Sequence, residues 1–282
     1  MKHTQGCFEG RNKTRIYWQQ WIPEKIQAVV VIAHGLGEHS GRYEHVAKSL
    51  VDSGYAVYAM DHRGHGNSGG PRAFVDRFSN AVDDINAIVD IVEEEQRPRA
   101  KKRPIFLLGH SMGGALSLSY TIKFGERLSG LLLSGPAVAL DGAPPLIGPI
   151  SKVLSLIAPK LGLFPIDPRL VSRDPEMVAA YERDPLNAHG KVPARTLGEI
   201  VKFVEVLPAL LPVIQLPLLV MHGGEDKLAG VAGSRMVMNR VSSQDKTLNV
   251  YDGLYHEIFN ELPDARAQVI GDMTAWLKSR VS

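Results

Sequence analysis

Cysteine is nearly absent from this chain, since Cys7 is the only one among 282 residues. A single cysteine excludes an internal disulfide and any metal site built from several thiolates. The formal net charge of +2 is also too small to indicate a surface that binds nucleic acid.

Long apolar runs are missing as well. The best candidate, residues 146–164, is interrupted by two prolines and two lysines, so it does not predict a transmembrane helix. The first seven residues lack the apolar stretch of a signal peptide. We therefore expect a cytoplasmic protein or one that attaches peripherally to a membrane, with a leaderless route of secretion left open.

Short apolar runs that suit buried strands alternate with helical patterns along most of the chain. Strands are predicted over residues 28–33, 55–60, 105–108, 131–133, 217–221 and 247–251, with early antiparallel edge strands around 14–21. The predicted closing helix, residues 263–280, is expected to face inward with Ala267, Ile270, Thr274 and Leu277. This order predicts an α/β fold with a mostly parallel central sheet flanked by helices.

The alternation stops after Ser134-Gly135-Pro136, and no strand is predicted again before residue 216. Helical spacing of apolar residues is visible at 150–157, 176–182 and 195–211. A structureless loop of this length is implausible inside a domain. We therefore predict a helical cap over residues 137–212, inserted after the sixth strand, on a core formed by residues 1–136 and 213–282.

The turn after the strand at 105–108 has the sequence Gly109-His110-Ser111-Met112-Gly113. A serine nucleophile must be raised above the sheet, and a sharp strand-to-helix turn does this. The glycines two residues before and after Ser111 remove Cβ atoms that would collide in such a turn. The pattern predicts a nucleophile at Ser111, since a strand precedes it and a helix follows.

A serine hydroxyl needs a base, and the base needs an acid. Asp226 and His256 each follow a predicted strand by five residues, and the chain order Ser111, Asp226, His256 is that of an α/β-hydrolase. Glu225 and Asp252 are rival acids.

His62 and His65 fall in a glycine-rich turn, where a structural role is favoured. The amides of Met112 and Leu36 are the predicted oxyanion donors, because Met112 begins a helix and Leu36 lies in the first post-strand turn. This acyl-transfer chemistry implies no metal and no organic cofactor.

Several stretches carry a resemblance to a known family. They include His34-Gly-Leu-Gly-Glu-His-Ser-Gly-Arg-Tyr43, Asp61-His-Arg-Gly-His-Gly-Asn-Ser68, Gly109-His-Ser-Met-Gly-Gly114 and Tyr251-Asp-Gly-Leu-Tyr-His256, with Tyr181 in the insertion. Across nearly its whole length the chain resembles monoacylglycerol lipases, and the second stretch is similar to bacterial members, including mycobacterial ones. Lysophospholipase-related hydrolases are close to the same pattern.

The resemblance implies an α/β-hydrolase fold with a cap and cleavage of monoacylglycerol to a fatty acid and glycerol. It assigns the triad to Ser111, Asp226 and His256 and the oxyanion hole to Leu36 and Met112. It also places four residues near the glycerol end of the substrate: Glu38, Arg42, His110 and Tyr181.

The apolar residues of 146–164 are too many for a thin helical cover, so part of them is expected to line an acyl tunnel and part to touch membranes. The opposing interpretation is that all of them pack on the core.

Other functions stay open at this point. One is a lysophospholipase or a short-chain carboxylesterase, although a phosphate would favour a basic pocket. Another is a non-catalytic α/β-hydrolase-fold protein that binds a lipid or a protein partner. Such proteins typically lose a member of the triad, whereas this chain keeps all three in order. The oligomeric state is left undetermined.

Overall fold

The computed structural model describes residues 1–96, 102–139 and 147–281. Leu146, part of the apolar run considered above, lies outside these ranges. The strands are β1 (Lys2–Glu9), β2 (Arg15–Ile22), β3 (Ala28–Ala33), β4 (Tyr55–Met60), β5 (Ile105–His110), β6 (Gly130–Ser134), β7 (Gly162–Pro165), β8 (Lys191–Pro193), β9 (Leu218–Gly223) and β10 (Lys246–Tyr251). The α-helices are α1 (Glu44–Asp52), α2 (Phe78–Gln96), α3 (Met112–Phe124), α4 (Ile147–Ile157), α5 (Pro175–Arg183), α6 (Ala194–Leu210), α7 (Val231–Arg240) and α8 (Pro263–Lys278).

Eight of these strands form one sheet in the order β1-β2-β4-β3-β5-β6-β9-β10. The six strands from β4 to β10 in this order pair in parallel, and β1 and β2 extend the β4 edge in antiparallel pairing. The predicted α/β-hydrolase fold is thereby confirmed. Because the carboxyl ends of parallel strands meet at one edge, the turns after β3, β5, β6, β9 and β10 lie close together.

The central strands are buried on both faces, which explains their unbroken apolar sequence. In β3, Val29 and Val31 pack into the core with α2 and α3, whereas Val30 and Ile32 pack on the opposite face with α1 and α8. This alternation is the period of two that every strand imposes on its side chains. The sheet therefore separates two cores, and the site-bearing turns sit at its edge.

The prediction for the inner face of α8 is correct at Leu277 and partly correct at Ile270, but wrong for the rest of the face. Its buried residues are Val269, Met273, Trp276 and Leu277, whereas Ala267 is exposed and Ile270 is only partly buried. Both stripes have helical spacing and share Leu277, so periodicity alone does not separate them. Burial of apolar area does, because methionine and tryptophan remove more apolar surface from water than alanine and threonine.

The segment between β6 and β9 contains α4, α5 and α6, as the periodicity predicts. It also contains β7 and β8, which pair with each other in an antiparallel ribbon that the sequence analysis missed. These strands have four and three residues, and the exposed and half-buried residues of β7 show no apolar alternation. Their pairing joins Gly162 to Pro193, a contact that no local pattern reports.

α6 connects this segment to the core through hydrogen bonds near the start of α2. The Thr196 hydroxyl accepts a hydrogen bond from the Val75 amide (2.9 Å) and donates to the Ala73 carbonyl (2.7 Å). The Glu199 carboxylate accepts from the amide of Phe78, the first residue of α2, at 3.0 Å. A carboxylate at this position satisfies an open helix amide and complements the helix dipole. In the described part of the chain, no helix combines the length and the apolar character that crossing a membrane requires.

Candidate active site

Ser111 forms a one-residue turn between β5 and α3, and its backbone is strained. Its φ of 52° and ψ of −119° lie outside the regions that residues with a side chain ordinarily adopt. β5 ends at His110 and α3 begins at Met112. The strain is the local signature of a nucleophile elbow, because it is the cost of presenting the serine hydroxyl at the carboxyl edge of the sheet.

The two glycines of the motif are required by close backbone packing. A Cβ atom on Gly109 would lie 2.4 Å from Ser117 Oγ and 2.5 Å from the Gly113 carbonyl oxygen. A Cβ atom on Gly113 would lie 2.1 Å from the Ala33 carbonyl oxygen of β3. No side chain fits at either position, so the glycines allow α3 to approach β5 and β3 as the turn requires.

His256 and Asp226 form a direct hydrogen bond, with His256 Nδ1 2.7 Å from Asp226 Oδ2. The other carboxylate oxygen, Asp226 Oδ1, accepts hydrogen bonds from the amides of Leu228 (2.8 Å) and Ala229 (2.9 Å). These two amides of the loop after Asp226 fix the orientation of the carboxylate.

The electrostatics of this pair follow from burial and mutual attraction. Burial raises the pKa of Asp226. The charge of His256 and the hydrogen bonds from His222, His256 and Ala229 lower it by a larger amount, so the net pKa lies far below its ordinary value. Asp226 is therefore ionised and can only accept. His256 must donate from Nδ1, which leaves a lone pair on Nε2. Burial lowers the pKa of His256, but Asp226 outweighs this effect and the net pKa is raised.

The rival residues lie elsewhere. Glu225 and Asp252 are exposed, and of these three acids it is Asp226 that accepts the hydrogen bond from His256. His62 and His65 are fully buried beside His34, with ring centroids 4.4 Å and 5.4 Å from it. They lie within the core below the loop after β3, which is consistent with the structural role favoured from sequence.

The amides expected to bind an oxyanion come from the turns after β3 and β5. Leu36, Met112 and Ser111 all line one cavity. A Cβ atom on Gly35 would lie 3.1 Å from Ser111 Cβ, so the loop after β3 packs directly against the serine. In the described part of the chain, no hydrogen-bond acceptor engages the amides of Leu36 and Met112. Both donors are thus available beside Ser111.

The cavity has a volume of about 630 Å³ and lies between the core and the inserted segment. Most of its wall is apolar and comes from the insertion, through residues such as Ile150, Leu163, Phe164, Ile166, Val192, Leu197 and Ile200. Polar side chains gather in one part of the wall, where Glu38, His110, Tyr181 and Glu257 accompany Ser111 and His256. An apolar cavity with a few convergent polar groups is the usual form of a small-molecule site.

Arg42 does not line this cavity. Its guanidinium makes a bidentate ion pair with Glu257, at 2.7 Å for each nitrogen–oxygen contact, and Nη1 also contacts Glu38 Oε2 at 2.9 Å. The Tyr181 ring stacks on it, with Arg42 Cζ 4.9 Å from the ring centroid. Of the four residues expected at the glycerol end, Glu38, His110 and Tyr181 line the cavity. Arg42 lies outside the cavity wall and pairs with the carboxylates of Glu38 and Glu257.

The two carboxylates differ in their protonation. Burial raises the pKa of Glu257, but the charge and hydrogen bonds of Arg42 outweigh it and lower this pKa to about 2. For Glu38, burial prevails over Arg42 and the net pKa is raised. Of the two carboxyl groups, Glu257 is therefore the one that is ionised at neutral pH. It was missed from sequence, although its position next to His256 and after the last strand was a usable signal.

His110 precedes the serine in the chain and packs against His256. The two rings are tilted by 48° with centroids 4.7 Å apart, and Nδ1 of His110 lies 3.0 Å from the Ser134 carbonyl oxygen. A carbonyl only accepts, so Nδ1 carries the hydrogen. Burial and the neighbouring His256 charge lower the pKa of His110 to about 3, which keeps the ring neutral. Its Nε2 is thus an acceptor.

Two further residues of the site were missed from sequence. His222 Nε2 lies 3.1 Å from Asp226 Oδ2 and 2.6 Å from the Ala229 carbonyl oxygen, so it adds a donor to the acid. Gly135, with a φ of 49°, lies beneath the Asp226–His256 pair. A Cβ atom there would be 3.2 Å from His256 Nδ1 and 3.3 Å from Asp226 Oδ2. Only the folded contacts reveal these roles.

The strained serine between β5 and α3, the acid–base pair on the turns after β9 and β10, and the free amides define a serine hydrolase of the α/β-hydrolase fold. Comparison with known proteins agrees. Residues 24–263 match the family profile described as "Serine aminopeptidase, S33".

The chain is 42% identical over 276 residues to a monoacylglycerol lipase of Mycolicibacterium smegmatis, with 97% of this chain and 96% of that protein covered. It is 33% identical over 270 residues to the human monoglyceride lipase, with 95% and 88% covered. Among solved structures, the Paleococcus ferrophilus monoacylglycerol lipase superposes with a TM-score of 0.85 at 31% identity, covering 94% of this chain and 99% of that one. The chain belongs to the monoacylglycerol lipase family and is a carboxylic ester hydrolase.

Proposed function

We propose that this protein hydrolyses monoacylglycerol to a free fatty acid and glycerol through an acyl-enzyme on Ser111. The observation that carries the proposal is one cavity that joins three features. These are a strained serine beside a hydrogen-bonded Asp226–His256 pair, an apolar wall contributed mostly by the insertion, and a cluster of polar side chains. The names of the relatives support the same substrate class.

In the proposed reaction, Ser111 Oγ attacks the ester carbonyl while His256 Nε2 takes the hydroxyl proton. Asp226 stabilises the resulting imidazolium through the Nδ1 hydrogen bond, and the amides of Leu36 and Met112 bind the oxyanion. As the ester bond breaks, His256 gives its proton to the departing glycerol oxygen. A water then attacks the acyl-enzyme, with His256 again accepting the proton and returning it to Ser111.

The polar part of the wall suits a glycerol head group. His110 Nε2 and the carboxylates of Glu38 and Glu257 accept hydrogen bonds, whereas the Tyr181 hydroxyl donates and accepts. Free hydroxyls match this set because they both donate and accept. A ligand without hydroxyls would leave these buried polar groups without hydrogen-bond partners, so the site discriminates strongly against it.

A lysophospholipid is the poorer substrate for this site. Its phosphate would meet Glu38 and the ionised Glu257, and Arg42 already pairs with both carboxylates. Like charges repel strongly in a buried site, and the lysine of the cavity wall, Lys227, is exposed and so screened by water. A short-chain ester would leave most of the apolar wall without contact, so short esters should be turned over with a higher KM.

We also propose that residues 137–212 form a cap that contacts membranes through α4. This helix turns Ser151 and Ser155, both fully buried, toward α6, where a Cβ atom on Gly198 would lie 2.6 Å from Ser155 Cβ. Ile150 also lines the cavity, but the apolar side chains at the end of the helix point outward, with Leu156 69% and Ile157 74% exposed. Apolar residues on the outer face of a helix mark a surface that meets another apolar phase. The lipid surface in which the substrate dissolves is that phase.

The test is a hydrolysis panel of 1- and 2-monoacylglycerols, diacylglycerols, lysophosphatidylcholines and p-nitrophenyl esters over a range of chain lengths. We expect kcat/KM to be highest for monoacylglycerols of medium or long chain. A fluorophosphonate probe should label the wild type and not Ser111→Ala. Labelling and turnover retained in a folded Ser111→Ala variant would refute the mechanism, and a preference for lysophosphatidylcholine would refute the substrate.

A further inference from the structure

His34 is buried beneath the loop that carries the Leu36 amide, and its two ring nitrogens have different partners. Nδ1 lies 2.7 Å from the Gly35 carbonyl oxygen, and Nε2 lies 2.9 Å from the His62 amide nitrogen. A carbonyl oxygen only accepts and an amide only donates. The tautomer of His34 is therefore determined, with the hydrogen on Nδ1 and the lone pair on Nε2.

The Gly35 carbonyl and the Leu36 amide belong to the same peptide unit. In a trans peptide, the C=O and N–H bonds point in opposite directions, and the described chain contains no cis peptide. A donor that holds the Gly35 oxygen on the His34 side thus directs the Leu36 N–H away from it. Gly35 packs against Ser111, since a Cβ atom on Gly35 would lie 3.1 Å from Ser111 Cβ, and Leu36 lines the same cavity as the serine.

The preceding peptide unit is held as well. The Gly35 amide donates to Glu38 Oε1 at 2.6 Å, and the same oxygen accepts from the Tyr43 hydroxyl at 2.7 Å. Both peptides that flank the Gly35 Cα therefore have a buried side-chain partner. Glycine offers no rotational restriction of its own, so these two contacts set the direction of the oxyanion donor.

We propose that His34 is a positioning residue that aims the Leu36 amide at the oxyanion through its Nδ1–H hydrogen bond to the Gly35 carbonyl. The inference rests on the proposed function, because it assumes acyl transfer at Ser111. Preorganised donors are effective only when they already point to the place where charge develops. His34 is fully buried and does not line the cavity, so it acts through a single peptide unit.

Two variants separate the two nitrogens of the ring. In His34→Asn, the amide nitrogen takes the place of Nδ1 and can still donate to the Gly35 carbonyl. In His34→Gln, the longer side chain reaches the place of Nε2 and can accept from the His62 amide, but the donor to Gly35 is lost. Both variants remove the ring, so they form a matched pair with a similar packing defect.

The readouts are kcat and KM on a monoacylglycerol and the inhibition constant of a long-chain alkyl trifluoromethyl ketone. Such a ketone forms a tetrahedral adduct with the serine and needs the oxyanion hole. We expect His34→Gln to lower kcat by about 10²-fold, as loss of one oxyanion donor does, with KM little changed. Its inhibition constant should rise in parallel, and His34→Asn should recover most of both effects.

A merely structural role would lower Tm and the fraction of protein labelled by a fluorophosphonate equally in both variants, with kcat per labelled site unchanged. That result would overturn the inference. If neither variant folds, ¹⁵N chemical shifts of the histidine rings in the wild type decide, since an Nε2–H tautomer at His34 would also overturn it. Failure of the proposed function is distinguishable, because the wild type itself would then neither hydrolyse esters nor bind the ketone.

Discussion

Asp226 receives four hydrogen bonds within its buried site: from the His256 and His222 rings on Oδ2 and from the amides of Leu228 and Ala229 on Oδ1. A carboxylate held in this way has little freedom to move and a strong preference for its ionised form. It keeps His256 in the tautomer that leaves Nε2 free for a proton.

Replacement of this carboxylate should therefore abolish most of the activity. We expect Asp226→Asn to lower kcat by about 10⁴-fold with little change in KM, because the amide favours the wrong tautomer of His256. Steady-state hydrolysis of a p-nitrophenyl ester measures the effect. Glu225→Gln and Asp252→Asn are matched controls, since both acids are exposed. A loss confined to Asp252→Asn would move the acid to that residue.

The rate should depend on pH through His256. Only the neutral ring accepts the serine proton, and the pKa of His256 is raised in the folded protein. We expect kcat/KM to rise with pH through a midpoint above the ordinary histidine value of about 6.5 and to reach a plateau at higher pH. His110, whose pKa is about 3, stays neutral throughout and adds no second step in this range. A midpoint below 6 contradicts the assignment of the base.

Gly135 offers a test of the fit around the acid–base pair. We expect Gly135→Ala to lower kcat by at least about 10-fold, because the added Cβ atom presses on His256 Nδ1 and Asp226 Oδ2. Gly253→Ala is the matched control. Gly253 also has a positive φ, of 75°, but its Cβ atom would meet only Arg173 Nη1 at 3.6 Å. Both variants should lose about 1–2 kcal/mol of stability from backbone strain. Equal losses of kcat in the two variants would contradict a steric effect on the Asp226–His256 pair.

Arg42 should matter more for stability than for substrate binding. Its removal leaves Glu38 and Glu257 buried without a counter-ion, and breaking a buried ion pair from one side costs about 3–5 kcal/mol. We expect Arg42→Ala to lose stability on this scale in urea denaturation and Arg42→Lys to lose less. Arg169→Ala, which removes an exposed pair with Asp167, should leave the urea midpoint unchanged. A normal midpoint with a raised KM in Arg42→Ala would instead make Arg42 a substrate contact.

The outer face of α4 should govern attachment to lipid. We expect the double variant Leu156→Ser/Ile157→Ser to bind vesicles of phosphatidylcholine and phosphatidylglycerol at least about 10-fold more weakly, because each side chain brings roughly 1.5–3 kcal/mol of apolar burial. Co-sedimentation with the vesicles measures binding, and kcat on a water-dissolved ester should not change. Leu262→Ser, at an exposed apolar residue of the core, serves as the control. Equal binding by both variants would exclude α4 as the contact.

Much of the core was predictable because buried parallel strands carry unbroken apolar runs. β3 and β4 have the bounds that the sequence predicts, 28–33 and 55–60. β1 was missed, since none of its residues is fully buried and its sequence lacks apolar alternation. β7 and β8 were missed because they have only four and three residues and because their pairing joins Gly162 to Pro193, which lie far apart in the sequence.

The sequence by itself determined the order of the central strands and of the helices around them, the sharp turn at Ser111, and the chain order of Asp226 and His256. These features depend on local periodicity and on backbone geometry, which neighbouring residues set. Tertiary structure alone decided that Arg42 pairs with Glu257, 215 positions away, rather than facing the cavity. It likewise decided that His34 meets the His62 amide and that Gly135 lies under the pair. Such contacts join turns that only the closed sheet brings together, so no local pattern records them.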